Sequence, residues 1–241
     1  MSQHFPYREY KVVTTVPNRQ WTCRLVDAVI DGSLEPQHVF KSNPRTYSAL
    51  LRLDDQSIML KVPRSRNKRK WERFLTLFRP SEGIRTFNNL AKMEQLGLIA
   101  PPPLLAAEKR HCGVVTDSFA CYVFEEGRPA GPNDAEEVMS SLLQLHSLGY
   151  LRTDPQPANF LISERGVVFI DFRLKKARFP SRLNKNRELA KLARIYPECV
   201  PFIPTTITQT VGFRVAKFFE YTMANAKTLK RVLRQRLIGS R

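Results

Sequence analysis

The stretch LHSLGYLRTDPQPANFLISERGVVFIDF, residues 145–172, constrains the chain more than any other. Asp154 and Asn159 share one loop, stiffened by Pro155 and Pro157, which runs directly into the apolar strand NFLIS. Two apolar runs about the polar ERG break read as a β-hairpin. The second strand, VVFID, therefore returns Asp171 to the end where the loop lies. Two carboxylates and a carboxamide oxygen converge at one loop mouth, and oxygen donors of that kind suit a hard divalent cation such as Mg2+. Each residue alone has a plainer reading, Asp154 as a turn cap and Asp171 as a strand end. The ordered set points to a site.

The rest of the chain frames this unit. Residues 18–31 place Trp21, Leu25, Val26 and Ile30 near helical spacing. HVFKS, TYSALLRL and SIMLKV read as strands, the last two joined by a hairpin turn at Asp54, Asp55 and Gln56. From residue 82 the apolar positions Ile84, Phe87, Leu90, Ala91, Met93 and Leu96 predict a helix ended by Gly97. Pro101, Pro102 and Pro103 predict an extended connection after it. GVVTDSFACYVFEE offers two strand candidates, and Gly127 with Pro129 and Pro132 marks a break. Asn133 and Asp134 cap a further helix through His146, and the residues after the hairpin are largely helical and basic. The expected class is α+β: a β-rich N-lobe over residues 1–127 and a compact α-rich C-lobe over 128–241.

The spacing D-x-x-x-x-N followed by Ile170-Asp171-Phe172 is that of a kinase catalytic loop and its metal-binding segment. In that template Asp154 accepts the proton of the attacking hydroxyl, while Asn159 and Asp171 hold Mg2+ against the phosphates of ATP. Lys61, in the apolar strand SIMLKV, matches the strand lysine that meets nucleotide phosphates. Its acidic partner is taken as Glu82. The strand CYVFEEG matches the interlobe hinge, with main-chain groups of Glu125, Glu126 and Gly127 expected at the adenine and Phe124 behind it.

At these residues the chain resembles the lipopolysaccharide core heptose kinases, especially the heptose II kinases, which have a protein-kinase-like fold. The likeness covers residues 51–177 and is carried by LKVPR, NKRKWERFL, LHSLGYLRTDPQPANFLIS and VVFIDF. It implies an ATP- and Mg2+-dependent transfer of phosphate to a heptose hydroxyl of the glycolipid core. The chain departs from the kinase pattern in several places. KSNPRTYSA stands where a glycine-rich phosphate loop would lie, which leaves Lys41, Arg45 or other backbone amides for the phosphates. Arg152 replaces the usual histidine, Phe172-Arg173 replaces Phe-Gly, and no A-P-E segment follows. The last absence argues for a small-molecule or glycolipid acceptor over a peptide. An aminoglycoside-type kinase and a non-catalytic basic module on a degenerate kinase fold are the alternatives.

Charge narrows the partners. The chain has 39 Lys and Arg against 22 Asp and Glu, a formal net charge of +17, and such a surface favours anionic partners. Residues 64–79 carry seven basic residues against Glu72 alone, and residues 213–241 carry eight against Glu220 alone. In the second stretch Phe218, Phe219, Tyr221 and Leu229 are interleaved with the cations, which predicts amphipathic helix with a basic face. An anionic membrane surface or the acidic glycolipid fits this pattern. Nucleic acid is not expected, because no helix-turn-helix, RNP-type or zinc module is legible. MSQHFPYREYK has no apolar core of a signal peptide, and no run reaches the ~20 apolar residues of a membrane span. The expected location is cytoplasmic, peripheral on the inner membrane. Cys23, Cys112, Cys121 and Cys199 lack paired spacing and read as reduced thiols.

Overall fold

The structure, a computed structural model, describes residues 2–64 and 74–239, with residues 227–239 described as helix backbone alone. Most of the basic NKRKWERFL segment, with Trp71 and Glu72, lies outside the described residues. The chain divides into two compact units, Met1–Glu126 and Gly127–Arg241.

The first unit is built on an antiparallel sheet of seven strands among the described residues. They are β1 (Gln3–Tyr7), β2 (Tyr10–Thr14), β3 (His38–Ser42), β4 (Tyr47–Leu53), β5 (Gln56–Val62), β6 (Pro103–His111) and β7 (Val114–Val123). Their spatial order is β1-β2-β6-β7-β5-β4-β3. Adjacent residues of one strand go to opposite faces, and here both faces are buried. Val12, Ala107 and Phe119 pack in the cluster that includes Leu25 and Val26 of helix α1 (Arg19–Asp31). Their neighbours Val13, Ala106 and Ala120 pack with Phe87 of helix α2 (Glu82–Gln95).

Local chemistry sets the ends of these elements. Asn18 caps α1 by accepting from the Trp21 amide at 3.0 Å, and Gly32 closes it with φ of 64°. Ser81 caps α2 by accepting from the Ile84 amide, and Gly97 takes φ of 68° just beyond its end. Leu53 pairs with Gln56, so Asp54 and Asp55 form the tight turn of the β4–β5 hairpin.

Two sequence expectations need correction. Pro103 opens strand β6 where only an extended connection is expected, because the first position of a strand tolerates a missing N–H. Leu105, Ala106 and Ala107 of that strand are fully buried between β2 and β7, so tertiary burial overrides the weak strand preference of alanine. VVTDSFACYV, Val114–Val123, is one ten-residue strand, not two.

In the second unit, short strands frame a loop region between helices. Strand β10 (Phe160–Ser163) pairs with β11 (Gly166–Phe169) and with β8 (Arg128–Pro129), and β9 (Tyr150–Leu151) pairs with β12 (Lys175–Lys176). Helix α3 (Ala135–Ser147) buries Val138, Met139, Leu142 and Leu145. Asp134 stands at its N-cap position and braces the preceding turn, accepting from the Gly131 amide at 2.8 Å and from both terminal nitrogens of Arg128 at 2.5 and 2.7 Å. Helix α4 (Ser181–Ile195) buries Glu188, Leu189, Leu192 and Ala193. A short helix α5 (Thr205–Thr208) leads into helix α6 (Val211–Gly239). No helix among the described residues is long and apolar enough to cross a membrane.

Candidate active site

Two antiparallel pairings bracket the loop that carries Asp154. At one end Leu151 of β9 pairs with Lys175 of β12, and at the other Phe160 of β10 pairs with Phe169 of β11. The chain between these anchors forms two loops, residues 152–159 and 170–174, and main-chain bonds lace them together. The Ile170 amide donates to the Asn159 carbonyl at 3.0 Å, and the Arg173 amide donates to the Arg152 carbonyl at 3.1 Å. Thr153 Oγ1 adds a bond to the Arg173 carbonyl at 3.3 Å. Asn159 and Asp171 are thereby fixed on adjacent loop ends, beside the turn that carries Asp154.

Arg152 fills the space beneath. Its side chain is fully buried and lies over the Phe160 ring at 4.1 Å and the Phe169 ring at 5.8 Å. Nη2 donates to the Ile170 carbonyl at 3.3 Å and to the Asn159 carbonyl at 3.5 Å. Burial pushes this guanidinium down to about 10, against the pull of Glu188, Asp154 and Asp171. The residue in the histidine position of the template thus cross-links the two loops.

Glu188 of α4 holds the loop from the other side. Its carboxylate is only 5% exposed. It accepts from the Arg152 amide at 3.0 Å and from the Thr153 amide at 2.6 Å, and it lies 2.9 Å from His146 Nε2 of α3. Thr153, held this way, has φ of 71°, and Asp171 has φ of 45°. Both residues bracketing the site adopt the left-handed backbone that non-glycine residues rarely take.

Asp154 is the half-exposed member. Lys191, one turn beyond Glu188 on α4, donates to Oδ1 at 2.7 Å. Gln156 Nε2 donates to both carboxylate oxygens at 3.1 and 3.2 Å. Burial would raise the pKa of Asp154, but the Lys191 and Gln156 bonds and the Arg152 charge outweigh it, and the carboxyl sits below its ordinary value. Asn159 gives its amide N–H to the Asp154 carbonyl at 3.3 Å, which leaves its amide oxygen as an acceptor. Among the described residues no three His, Cys, Asp or Glu side chains converge as a metal cluster. Asn159 and Asp171 on neighbouring loop ends fit a hard cation through oxygen alone, with bound phosphate and water supplying its remaining ligands.

In the first unit, Lys61 of β5 lies opposite Ser48 and Ala120. Cross-strand partners share a face, so Lys61 lies on the face that α2 covers. Glu82 stands in the first turn of that helix, where Arg85 Nη1 donates to it at 3.2 Å. Gly83 beside it permits close approach: a Cβ there would fall 2.5 Å from the Phe119 carbonyl oxygen. The segment between β3 and β4 is an Asx turn. Asn43 Oδ1 accepts from the amides of Arg45 and Thr46, each at 2.9 Å. Amides that a glycine-rich loop would offer to phosphate are therefore committed here. Arg64 flanks the turn, bonded to Ser42 Oγ at 3.3 Å and lying over the Tyr47 ring at 4.7 Å. Phe124 stacks on Phe40 with centroids 5.8 Å apart. Glu125 and Glu126 follow β7 in irregular backbone. Gly127 begins the second unit where a Cβ would meet the Ile162 carbonyl oxygen at 2.8 Å.

No family model matches the chain, and no curated protein matches it in sequence. The fold, however, matches a solved structure, WaaP in complex with acyl carrier protein. The TM-score is 0.52 over 93% of this chain and 97% of that one, at 15% identity. The fold is kinase-like. The α+β class expected from the motifs holds, with a β-rich N-terminal sheet and a helical C-terminal part. Within this kinase-like fold, Glu188 and Lys191 are the residues that motif reading misses. Glu188 leaves one signal, an acid next to the buried Leu189 on a helix whose other acids are absent. Lys191 leaves none, since a basic residue is ordinary in so basic a helix.

Proposed function

We propose that the chain is a kinase that transfers the terminal phosphoryl group of ATP to a sugar hydroxyl, a heptose of the lipopolysaccharide inner core. The observation that carries this reading is the lacing of loops 152–159 and 170–174, which holds Asp154, Asn159 and Asp171 in one frame. The likeness to WaaP supports the same family that the motifs resemble.

In this reading Asp154 takes the proton of the acceptor hydroxyl as its oxygen bonds to phosphorus and ADP departs. Its depressed pKa keeps it ionised at neutral pH. Asn159 and Asp171 hold Mg2+, which supplies charge neutralisation at the phosphates when bound. Lys61 meets the phosphates, with Glu82 as its helix-side acid, and the main chain at Glu125, Glu126 and Gly127 meets the adenine. Phosphoryl transfer needs positioning and charge more than covalent help, and a frame tied by main-chain bonds provides positioning.

The enzyme works on the cytoplasmic face of the inner membrane. Helix α6 buries Phe213 and Ala216 and exposes Val215, Phe218 and Phe219 beside Arg214 and Lys217. An apolar stripe flanked by cations suits an anionic leaflet, each basic residue contributing about 1 kcal/mol near the surface.

One experiment tests the reading. Inner-core oligosaccharide lacking heptose phosphate is incubated with ATP, Mg2+ and the protein, and the product is weighed by mass spectrometry. Gain of a single phosphate is expected, and Asp154→Ala should slow it by at least ~10²-fold. Near-wild-type turnover in that variant would sink the assignment. Binding of the oligosaccharide with no transfer under any donor would instead favour a non-catalytic module, a role that the committed amides of Arg45 and Thr46 make worth testing.

A further inference from the structure

Beside Asp154 the second unit contains a cavity of about 720 Å3, bounded by β9, β12 and α4. Its wall is strongly cationic: Lys175, Lys176, Arg178, Arg187 and Lys191 line it, against Glu188 and Glu220. The two acids offset only part of this charge. Glu188 is engaged by two loop amides and lies against His146, and Glu220 lies 3.8 Å from Arg187. Among the described residues Lys191 both lines the cavity and, through its ammonium, donates to Asp154 at 2.7 Å. Within the loop no cation follows Asp154, since Pro155, Gln156, Pro157 and Ala158 come next, and Arg152 before it is buried beneath the loops.

We infer that this cavity is the acceptor site, shaped for a sugar that carries an anionic group near its reacting hydroxyl, and that Lys191 is a catalytic residue linking that site to Asp154. The inference rests on the kinase reading of Asp154. It adds where the acceptor lies and which cation attends it. Oδ1 accepts from Lys191 and both oxygens accept from Gln156, and a carboxylate with about four acceptor positions keeps capacity for the proton of an acceptor hydroxyl. Lys191 is the donor on the cavity side. Held against Asp154, its ammonium stands beside the place where the hydroxyl oxygen gains charge as its proton passes to Asp154, a position where a fixed cation favours the transition state. The other cations, more remote from Asp154, hold the anionic group and orient the sugar.

The test uses the full chain with Lys191→Met, Lys191→Arg and, as a control on the same helix but off the cavity, Lys185→Met. Inner-core oligosaccharide lacking the phosphate at the reacting hydroxyl is the probe, with its other acidic groups intact and with them removed. Calorimetric titration without nucleotide should show acceptor affinity falling by about tenfold in Lys191→Met and with the neutralised oligosaccharide, consistent with loss of one close charge pair. Turnover of Lys191→Met should fall by about 10²-fold while KM for ATP stays at the wild-type value, and Lys191→Arg should restore most of it. A purely structural role would lower the melting temperature and would not separate the two substrates. An active wild type whose Lys191→Met form matches Lys185→Met in titration and kinetics overturns this proposal alone. Equal binding of the acidic and neutralised probes overturns the anionic selectivity. A wild type that transfers no phosphate overturns the kinase reading, and the acceptor role with it.

Discussion

The carboxylate of Glu188 and the backbone amide of Thr153 meet at 2.6 Å, across 35 residues of sequence. This bond, with its neighbour to the Arg152 amide, fixes the turn into Asp154 from a helix that the site motifs do not include. Glu188→Ala would strand two buried amide donors, each costing about 1–3 kcal/mol. We expect urea unfolding to report a loss of about 3 kcal/mol, and Glu188→Gln, which retains one acceptor, to lose clearly less.

Arg152 offers a case in which stability and activity separate. Its Nε and Nη1 are buried without partners, so the guanidinium bears a desolvation cost that an apolar side chain of similar length avoids. Arg152→Met should change unfolding free energy by no more than about 1 kcal/mol. It also removes the donor that ties Ile170, and with it Asp171, to the loop. Turnover should therefore fall by up to about 10²-fold, the scale of a small misplacement of reacting groups. Equal losses in both measurements would contradict this.

Glu108 carries a pH dependence. Burial alone would raise its pKa, but Arg110 Nε at 2.8 Å and the Ser81 amide at 3.0 Å hold it below the ordinary value of 4.5. A carboxyl depressed in the folded state contributes stability that is fully present above its unfolded pKa and lost as pH falls through its folded pKa. The stability gap between wild type and Glu108→Gln should be constant from neutrality down to about pH 5 and shrink below ordinary carboxylate values. Chemical denaturation at a series of pH values checks it. A gap that widens toward acid would refute the sign.

Gly83→Ala places a Cβ 2.5 Å from the Phe119 carbonyl oxygen. Backbone cannot move aside cheaply, so α2 must shift off the sheet, at a cost of about 1–3 kcal/mol. The thermal midpoint should drop although alanine is the better helix former.

The loop-and-hairpin unit is more legible in the sequence than the N-terminal sheet. The hairpin that returns Asp171 is legible because apolar alternation and a polar turn are both local, and strands 160–163 and 166–169 form as the pattern predicts. The helix over 82–95 is a local signal too, whereas Asp134 stands at the N-cap position of α3 without a side-chain bond to that helix. Strands β1 and β2 escape notice because β2 pairs with β6, nearly a hundred residues away, and β1 only adds to β2 at the sheet edge. Strand β6 itself is masked by its prolines and alanines. Glu188 and Lys191 reach Asp154 and its loop through packing of α4, and no short motif records that approach.

The Asx turn at Asn43 has a consequence of its own. Backbone amides grip phosphate at short range and are nearly indifferent to dissolved ions. With those of Arg45 and Thr46 turned inward, a phosphate near this turn is left to Lys41, Arg45 and Arg64, long cations on the surface. Such attraction is screened over roughly 8 Å at physiological ionic strength. Under the proposed kinase reading, nucleotide affinity would therefore be a readout of the surrounding electrolyte, strong in dilute buffer and falling steadily as salt is added.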